Sequence, residues 1–349
     1  MKQALCVLAV LCMLAGAGPA AAAEPAGNLL LFLKGLDVAG GISAGEFSLA
    51  NSGPGAADNT FLLSNVLLEV SNEKQNLPVG FTIAAGETST PSLLGAPENA
   101  NDLDVEYAYL TLRPRAGTAI EAGLLQPDSG YESTYTYANP NIILGAVASQ
   151  QPYNAYGARI RQEFGPFSLS VAYFGERLDD TEYAVGDGST PDRAWEVTLG
   201  GTLAACDYTL YHYHIAAERS MTGVVVEHQT DNLLVAVNLD YWRWAQGMAS
   251  QVGRRYAIGG AFYLVPHFGR FSLPLRLEYI DQGTSGIYLD APAAKNITTA
   301  TLTPTYTLTE KAYLRAEVAY VHARDGFAKK DGTVKDGRLA LAAEVGYRF

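Results

Sequence analysis

Charged side chains recur at alternate positions in several segments of this sequence. Arg159, Arg161 and Glu163 are spaced two residues apart, and Arg276 and Glu278 repeat that spacing. In an extended strand, residues two apart point to the same face, so each set would present its charges to one surface. Charges that face each other across a water path select the solutes that pass. The chemistry that these residues indicate is therefore electrostatic guidance of solutes, without a covalent step.

The same parity, continued along the chain, gives a larger set of ionisable residues that would face one common interior. Both signs of charge occur in this set, so the predicted ion preference is weak. The alternative is that many of these charges pair locally along the wall and only solvate it. The predicted set is Asp104, Glu106, Glu121, Arg159, Arg161, Glu163, Glu196, Asp240, Arg255, Arg276, Glu278, Arg315, Glu317, Arg338 and Glu344.

A long connection, segment 126–151, places carboxylates beside tyrosines. Its candidate residues are Asp128, Tyr131, Glu132, Tyr135 and Tyr137. This mixture suits the binding or guidance of sugars and other small polar solutes, and it would fit a constriction. The alternative is a tyrosine-rich cap at the mouth of a barrel, facing lipopolysaccharide or a partner.

Two further patterns are similar to reactive sites. His212 and His214 have a spacing that permits shared metal coordination, but the neighbouring sequence adds no Cys or carboxylate. We expect a solvated pair that faces the interior, and no metal. Gly41-Ile42-Ser43-Ala44-Gly45 fits a nucleophile pattern that requires a strand-to-helix turn, yet the following residues are not helical. Since no Walker-type or dinucleotide fingerprint occurs either, we predict no catalytic residue and no cofactor.

Strands must position these side chains, because apolar and polar residues alternate over most of the chain. In the last segment, Leu339 and Leu341 fall on one face while Arg338 and Ala340 fall on the other. About sixteen segments repeat the pattern, each near the length of a tilted membrane-spanning strand. Their predicted centres are Gly40, Leu67, Thr82, Tyr107, Ala122, Arg159, Val171, Val197, Tyr211, Val225, Val237, Gly259, Leu275, Leu302, Glu317 and Ala343.

The connections between these segments alternate in length. Short turns, such as 164–166 and 230–232, interleave with long connections at 126–151, 178–193, 281–295 and 322–336. Transmembrane barrels have short periplasmic turns and long extracellular loops. The predicted fold is therefore all-β, a transmembrane antiparallel up-and-down barrel of about 16 strands, with a range of about 14–18. A soluble all-β protein is the alternative.

Aromatic residues near the predicted strand ends favour the membrane barrel, because aromatic girdles form at both membrane interfaces. The residues expected in these girdles are Tyr107, Tyr109, Trp195, Tyr241, Trp242, Trp244, Tyr313, Tyr347 and Phe349.

The first residues predict export. Residues 1–23 combine Lys2, an apolar stretch and a run of alanines, which is typical of a cleaved signal peptide, and residues 24–349 would form one barrel domain. Removal of the signal leaves Cys206 as the sole cysteine, so no internal disulfide is expected. A formal net charge of −12 argues against a nucleic-acid partner.

The chain resembles a known family of outer-membrane proteins. It ends in Tyr347-Arg348-Phe349 with apolar residues at alternate positions, as in barrels that the barrel-assembly machinery inserts through a C-terminal Phe, here Phe349. The run from Val105 to Leu110, followed by Gly130-Tyr131-Glu132 and Tyr156-Gly157-Ala158-Arg159, is similar to the OmpL-like β-barrel porins of type 2. This resemblance supports the fold more than the solute class.

The resemblance and the strand number together imply an outer-membrane porin. A barrel of about sixteen strands can hold water, so small hydrophilic solutes would diffuse through it passively. In general porins the third long loop, here 126–151, folds into the lumen, and homotrimers are common. Two alternatives remain: a phospholipase-like outer-membrane enzyme, and a structural barrel that binds lipopolysaccharide through Lys329, Lys330 and Lys335.

Overall fold

The computed structural model describes residues 35–50, 59–73, 77–93, 104–177, 193–216, 218–245, 255–283, 294–328 and 333–349. These residues form sixteen antiparallel strands in one sheet. The strands are β1 Asp37–Ala50, β2 Asn59–Ser71, β3 Val79–Thr88, β4 Asp104–Arg115, β5 Thr118–Leu125, β6 Ala155–Phe164, β7 Phe167–Arg177, β8 Ala194–Leu203, β9 Cys206–Ile215, β10 Arg219–Gln229, β11 Leu233–Trp244, β12 Tyr256–Phe268, β13 Phe271–Ser272 with Leu275–Asp281, β14 Asn296–Leu302 with Thr305–Thr307, β15 Ala312–Ala328 and β16 Val334–Arg348.

The sheet closes on itself, because β1 pairs with both β2 and β16. The closing register runs from Gly41 opposite Arg348 to Ala50 opposite Leu339. At its end, the backbone N–H of Gly40 donates to the carbonyl of Phe349 at 3.2 Å, and the N–H of Phe349 donates in return at 3.1 Å. The predicted barrel is confirmed, and all sixteen predicted strand centres lie within strands.

Proline explains why two strands are interrupted. Pro274 divides β13 and Pro304 divides β14, because proline has no N–H to donate to the sheet. Each proline still accepts: Thr303 N–H donates to the Pro274 carbonyl at 2.9 Å, and Ala316 N–H donates to the Pro304 carbonyl at 3.1 Å. The barrel wall therefore continues through both interruptions.

The two faces of the wall differ in chemistry, as alternation predicts. In β16, Leu341 and Val345 are 48% and 50% exposed, whereas Ala340 and Glu344 are 1% and 4% exposed. The exposed apolar face suits lipid, and the opposite face points into the barrel. Within the described ranges, no helix has the length and apolar character that a membrane-spanning helix requires.

Short turns lie at one end of the barrel, as at Gly165–Pro166 and Ala204–Ala205, and we assign this end to the periplasm. The connections 178–192 and 284–293 lie outside the described residues. The predicted long loop 322–336 is wrong, because β15 continues to Ala328 and β16 begins at Val334. A register shift between His322 and Phe327 breaks the alternation there, which made the end of β15 read as a loop.

The hydrophobic core joins inward-facing wall residues to segment 126–151. Ile142 and Val147 of the segment belong to the same buried cluster as Phe47, Trp242 and Tyr263 of the wall. Each of these five side chains is at most 2% exposed. The buried apolar cluster therefore contains residues of both the wall and this segment.

Several predicted girdle aromatics are placed differently. Trp195, Tyr241, Tyr347 and Phe349 are exposed on the outside, as expected. The prediction is wrong for Tyr107, Trp242, Trp244 and Tyr313, which are at most 7% exposed, and for Tyr109, which packs against the buried cluster. For Tyr107 and Tyr313 the reason is a buried hydrogen bond, since their hydroxyls donate to the inward carboxylates of Glu69 and Glu344. Trp242 and Trp244 instead pack in the buried apolar cluster.

Candidate functional site

Segment 126–151 follows β5 and contains two short 3-10 helices, Thr136–Ala138 and Ala148–Gln150. Its residues hydrogen-bond to inward-facing side chains of strands on several sides of the ring. Those wall partners include Ser43 on β1, Asn65 on β2, Glu227 on β10, Asp240 on β11 and Glu344 on β16. Wall and segment are therefore described together as one candidate site.

Asp128 joins the first predicted charge ladder to the segment. Its carboxylate lies 2.8 Å from the Arg159 guanidinium and 3.1 Å from that of Arg161. The Ser170 hydroxyl also donates to it at 2.8 Å, and Arg159 lies 3.5 Å from Glu121 on the neighbouring strand. A carboxylate shared by two guanidinium groups neutralises much of their charge, so this part of the wall is paired.

Glu132 joins the segment to the opposite wall through a buried ion pair. Its carboxylate lies 2.8 Å from Arg276, whose Nε lies 3.1 Å from Glu278. The Tyr263 hydroxyl donates to Glu132 at 2.8 Å. Burial raises the pKa of the Glu132 carboxyl, and the Arg276 guanidinium opposes that change. Arg276 and Glu278 are 0% exposed as side chains, so water does not screen this cluster.

Two wall carboxylates accept backbone N–H groups of the segment. Glu317 accepts from Ile142 at 2.5 Å and from Ile143 at 2.9 Å. Glu278 accepts from Val147 at 2.9 Å. A buried N–H group needs a partner, and a segment with little regular structure has few internal ones. These wall charges therefore fix the backbone of the segment.

Arg315 pairs with Glu344 of the adjacent strand, at 2.6 Å. The same guanidinium donates to the carbonyl of Thr136 at 2.6 Å and to that of Asn139 at 2.9 Å. The Thr136 hydroxyl in turn donates to Glu344 at 2.7 Å. The predicted set is thus brought together across strands and through the segment.

The three candidate tyrosines of the segment contact the wall or each other. The Tyr131 hydroxyl donates to Glu227 at 2.7 Å, and its ring centroid lies 4.5 Å from that of Tyr263. Tyr135 and Tyr137 stack at 5.8 Å with an interplanar angle of 20°. Burial is the largest cause that raises the pKa of Tyr137, to about 12, so these hydroxyls stay protonated at neutral pH.

The β3–β4 pair contains a bulge that changes which residues of β4 face inward. Ala84 pairs with Tyr107 and Ala85 pairs with Val105, so Glu106 is the additional residue. The bulge lets Glu106 accept from the Thr88 hydroxyl at 3.2 Å while the Tyr107 hydroxyl donates to Glu69 at 2.5 Å. Glu106 and Tyr107, although adjacent in sequence, therefore both contribute side chains to the interior.

The remaining predicted residues fall into two groups. Arg338 donates to the carbonyl of Leu93 at 3.3 Å and lies 4.4 Å from the centroid of the Phe327 ring, so it joins the buried site. Asp104, at the start of β4, and Glu163, near the end of β6, are exposed. They are not brought into the buried ion pairs.

A cavity of about 530 Å³ opens at the short-turn end of the barrel, next to Glu163. We call it the vestibule. Its charged lining residues are Arg113, Arg115, Arg161 and Glu163. Arg113 forms an ion pair with Glu73, whereas Arg115 donates to the neutral side chains Thr118 and Gln162. The vestibule borders the charge ladder through Arg161 and Glu163.

Three predicted inward residues lie elsewhere. His212, His214 and Arg255 line a cavity at the rim with Ser220 and Arg243. The prediction is wrong for the histidines because Tyr211 and Tyr213, at 2% exposure, occupy the inward face of β9. In the described ranges, no group of His, Cys, Asp or Glu has the geometry of a metal site.

The neutral residues of the site were not predicted from the sequence. Asn65 accepts from the Thr136 N–H at 2.5 Å. Gln151 donates to Asn238 at 2.7 Å and to Asp240 at 2.8 Å. Glu196, which was predicted, accepts from the Asp128 N–H at 3.0 Å. Neutral amides and hydroxyls carry no charge pattern, and their partners lie far away in sequence.

Comparison with known proteins gives the same architecture. The family model described as "Putative beta-barrel porin-2, OmpL-like" matches residues 37–349. No curated protein matches the chain. The outer-membrane channel DcaP of Acinetobacter baumannii is 14% identical, with 90% of this chain and 97% of that chain covered and a TM-score of 0.58.

Two further solved structures are similar to this chain. OmpT, an outer-membrane protein of Vibrio cholerae, is 12% identical, with 90% of this chain and 97% of that chain covered and a TM-score of 0.59. A mutant porin of Rh. blastica is 12% identical, with 90% and 100% covered and a TM-score of 0.54. At such identities the likeness shows the fold.

Proposed function

Because the chain belongs to the OmpL-like family of β-barrel porins, we propose that it lets small hydrophilic solutes diffuse passively, without enzymatic chemistry. The protein lies in the bacterial outer membrane and has a porin fold. A barrel of sixteen strands is wide enough for an aqueous path, unlike an eight-stranded barrel that side chains fill.

In this proposal, segment 126–151 folds into the lumen and narrows the path. The observation that carries it is the buried ion pair between Glu132 of the segment and Arg276 of β13, 2.8 Å apart and at most 1% exposed. Support comes also from Asp128, which contacts Arg159 and Arg161 on β6. Contacts with separate parts of the ring support a position of the segment across the opening.

We propose that solutes pass along the β4–β6 side, through the vestibule. Arg161 is 33% exposed there, in contrast with the fully buried Arg276. The side chains around the vestibule include as many basic as acidic groups, namely Arg113, Arg115, Arg159 and Arg161 against Glu73, Glu121, Asp128 and Glu163. Balanced charge of this kind gives weak ion selectivity.

The vestibule can be tested with two opposite changes of charge. In planar bilayers under asymmetric KCl, the wild-type protein should conduct with a reversal potential close to zero. Arg115→Gln should shift it towards cation preference and Glu163→Gln towards anion preference, by similar amounts, since each changes the net charge of the vestibule by one. Arg243→Gln on the outer surface is the matched control and should cause no shift. Absence of conductance, or of both shifts, would refute the proposed path.

Two further proposals follow from the same reading. Residues 1–23 would be a cleaved signal peptide, which N-terminal sequencing of the exported protein would test. A homotrimer is also proposed, because the outward Glu46 of β1 is costly in lipid and one similar structure is an OmpT trimer form. Light scattering of the detergent-solubilised protein would give three times the monomer mass.

A further inference from the structure

Five residues form one continuous row across the outside of β8 to β12. Trp195 pairs with His214, His214 with Ser220, Ser220 with Arg243, and Arg243 with Tyr256. We call this the outer rim row. Its alternating neighbours, such as Met221 and Trp242, are at most 3% exposed and face the interior. The row therefore lies on the outward surface, within two residues of the strand ends opposite the short turns at 165–166 and 204–205.

The aromatic members of this region form a compact group. The Trp195 ring centroid lies 4.9 Å from that of His212 and 5.5 Å from that of His214. The two imidazoles are nearly parallel, with centroids 6.5 Å apart. His212 Nδ1 lies 2.7 Å from the Thr222 hydroxyl. These contacts hold both imidazoles beside the rim cavity, with donor nitrogens available to a ligand.

The rim cavity is basic. It measures about 520 Å³, and its lining includes His212, His214, Arg219, Arg243 and Arg255. Arg219 lies 3.6 Å from Glu218. Arg243 and Arg255 are exposed, and neither forms an ion pair within the described part of the chain. Two guanidinium groups without an acidic partner attract an anion, and phosphate matches their planar donor pattern.

The position of the cavity indicates where the anion comes from. Directly towards the membrane, the outward face becomes apolar: Leu239 and Ile258 are 49% and 48% exposed. Trp195 and Tyr256, each 40% exposed, mark the interface between the lipid chains and the head groups. An amphiphile with a phosphate above and acyl chains below would satisfy both surfaces. A free anion would use the basic part alone.

We propose that the outer rim row and its cavity bind a phosphorylated lipid of the outer leaflet, with its phosphate between Arg243 and Arg255 and its acyl chains on Leu239 and Ile258. Binding stabilises this side of the barrel and takes no part in solute passage. The site differs from the lysine-rich segment considered from sequence, of which Lys329 and Lys330 lie outside the described residues.

Native mass spectrometry of the detergent-purified full chain tests this inference. Three probes would be titrated: diphosphorylated lipid A, the same lipid A stripped of its phosphates, and inorganic phosphate. We expect one diphosphorylated lipid A to bind per chain, with little binding of the other two. The double variant Arg243→Gln/Arg255→Gln should lower the affinity by about tenfold or more, since it removes two charge-assisted contacts.

The control is Arg270→Gln/Lys311→Gln, which removes two exposed cations at the short-turn end and should leave the affinity unchanged. Arg243→Lys/Arg255→Lys should keep part of the affinity, because the positive charge remains while the planar guanidinium group is lost. Heat-modifiable gel mobility shows that each variant is folded. Equal binding of the stripped lipid, no loss in the Gln variant, or inorganic phosphate binding as tightly as the lipid would each overturn the inference.

Discussion

Deleting residues 129–145 is expected to raise the single-channel conductance several-fold in planar bilayers. The deletion removes Glu132, Ile142 and Ile143, which in the proposed arrangement occupy space inside a sixteen-stranded wall, and a wall of that size can hold water. The wall itself should persist, because Arg276 keeps Glu278 as a partner at 3.1 Å and water can solvate the rest.

A deletion of 181–190, in another long connection on the same side, is the matched control for that experiment. If the rise in conductance is specific to segment 126–151, this second deletion should leave the conductance near the wild-type value. An unchanged conductance after deletion of 129–145, in a protein that still shows heat-modifiable mobility, would mean that this segment does not restrict the path.

Arg276→Met is expected to have the largest effect of any single substitution in the site. It leaves Glu132 and Glu278 buried together without a counter-charge. Removal of one partner from a buried ion pair costs about 3–5 kcal/mol, and here that cost falls on the docking of segment 126–151 against the wall. We therefore expect the segment to leave the wall part of the time. The single-channel current should fluctuate upwards, and chymotrypsin should cleave faster at Tyr131 and Tyr135.

A double-mutant cycle separates this cost from a general loss of packing. Adding Glu132→Gln to Arg276→Met should restore much of the resistance to chymotrypsin, because it removes the unpaired carboxylate. Arg161→Gln provides the comparison, since its ion pair with Asp128 is 33% exposed on the arginine side and should contribute less than about 1 kcal/mol. Equal cleavage of all variants and wild type would contradict the role assigned to Arg276.

Most of the architecture could be predicted from the sequence, because alternate residues of a membrane-spanning strand face lipid and the barrel interior. In β16, leucines at 339 and 341 face outwards while Glu344 faces inwards, as their parity requires. The long segment after β5 was recognisable for the same reason, since the period-two pattern stops at Leu125 and resumes at Ala155.

Sequence parity does not assign the inward and outward faces wherever a bulge adds a residue. The additional residue Glu106 allows Tyr107 to face the interior, although their parity puts them on opposite faces. Aromatic residues add a second ambiguity. Trp242 is 0% exposed and faces the interior, whereas the neighbouring Tyr241 is 41% exposed on the lipid-facing side. Both residue types also occur in membrane girdles.

The partners of the charged wall residues could not be predicted from the sequence either. Arg315 and Glu317 are two apart in sequence, yet Arg315 pairs with Glu344 and Glu317 accepts backbone N–H groups of Ile142 and Ile143. Those contacts depend on how segment 126–151 lies against the wall. No local pattern encodes that placement, because it arises from the sum of many distant contacts.

A cysteine placed in the proposed path tests the central claim most directly. In a Cys206→Ser background, Arg161→Cys would be treated from the short-turn side with a bulky thiol reagent during a single-channel recording. The proposed path predicts that the current falls as the reagent attaches, and that Leu203→Cys, exposed on the outer surface, keeps its full current. A full current in the Arg161→Cys protein, with the thiol shown by mass spectrometry to be labelled, would contradict passage of solutes through this side of the lumen.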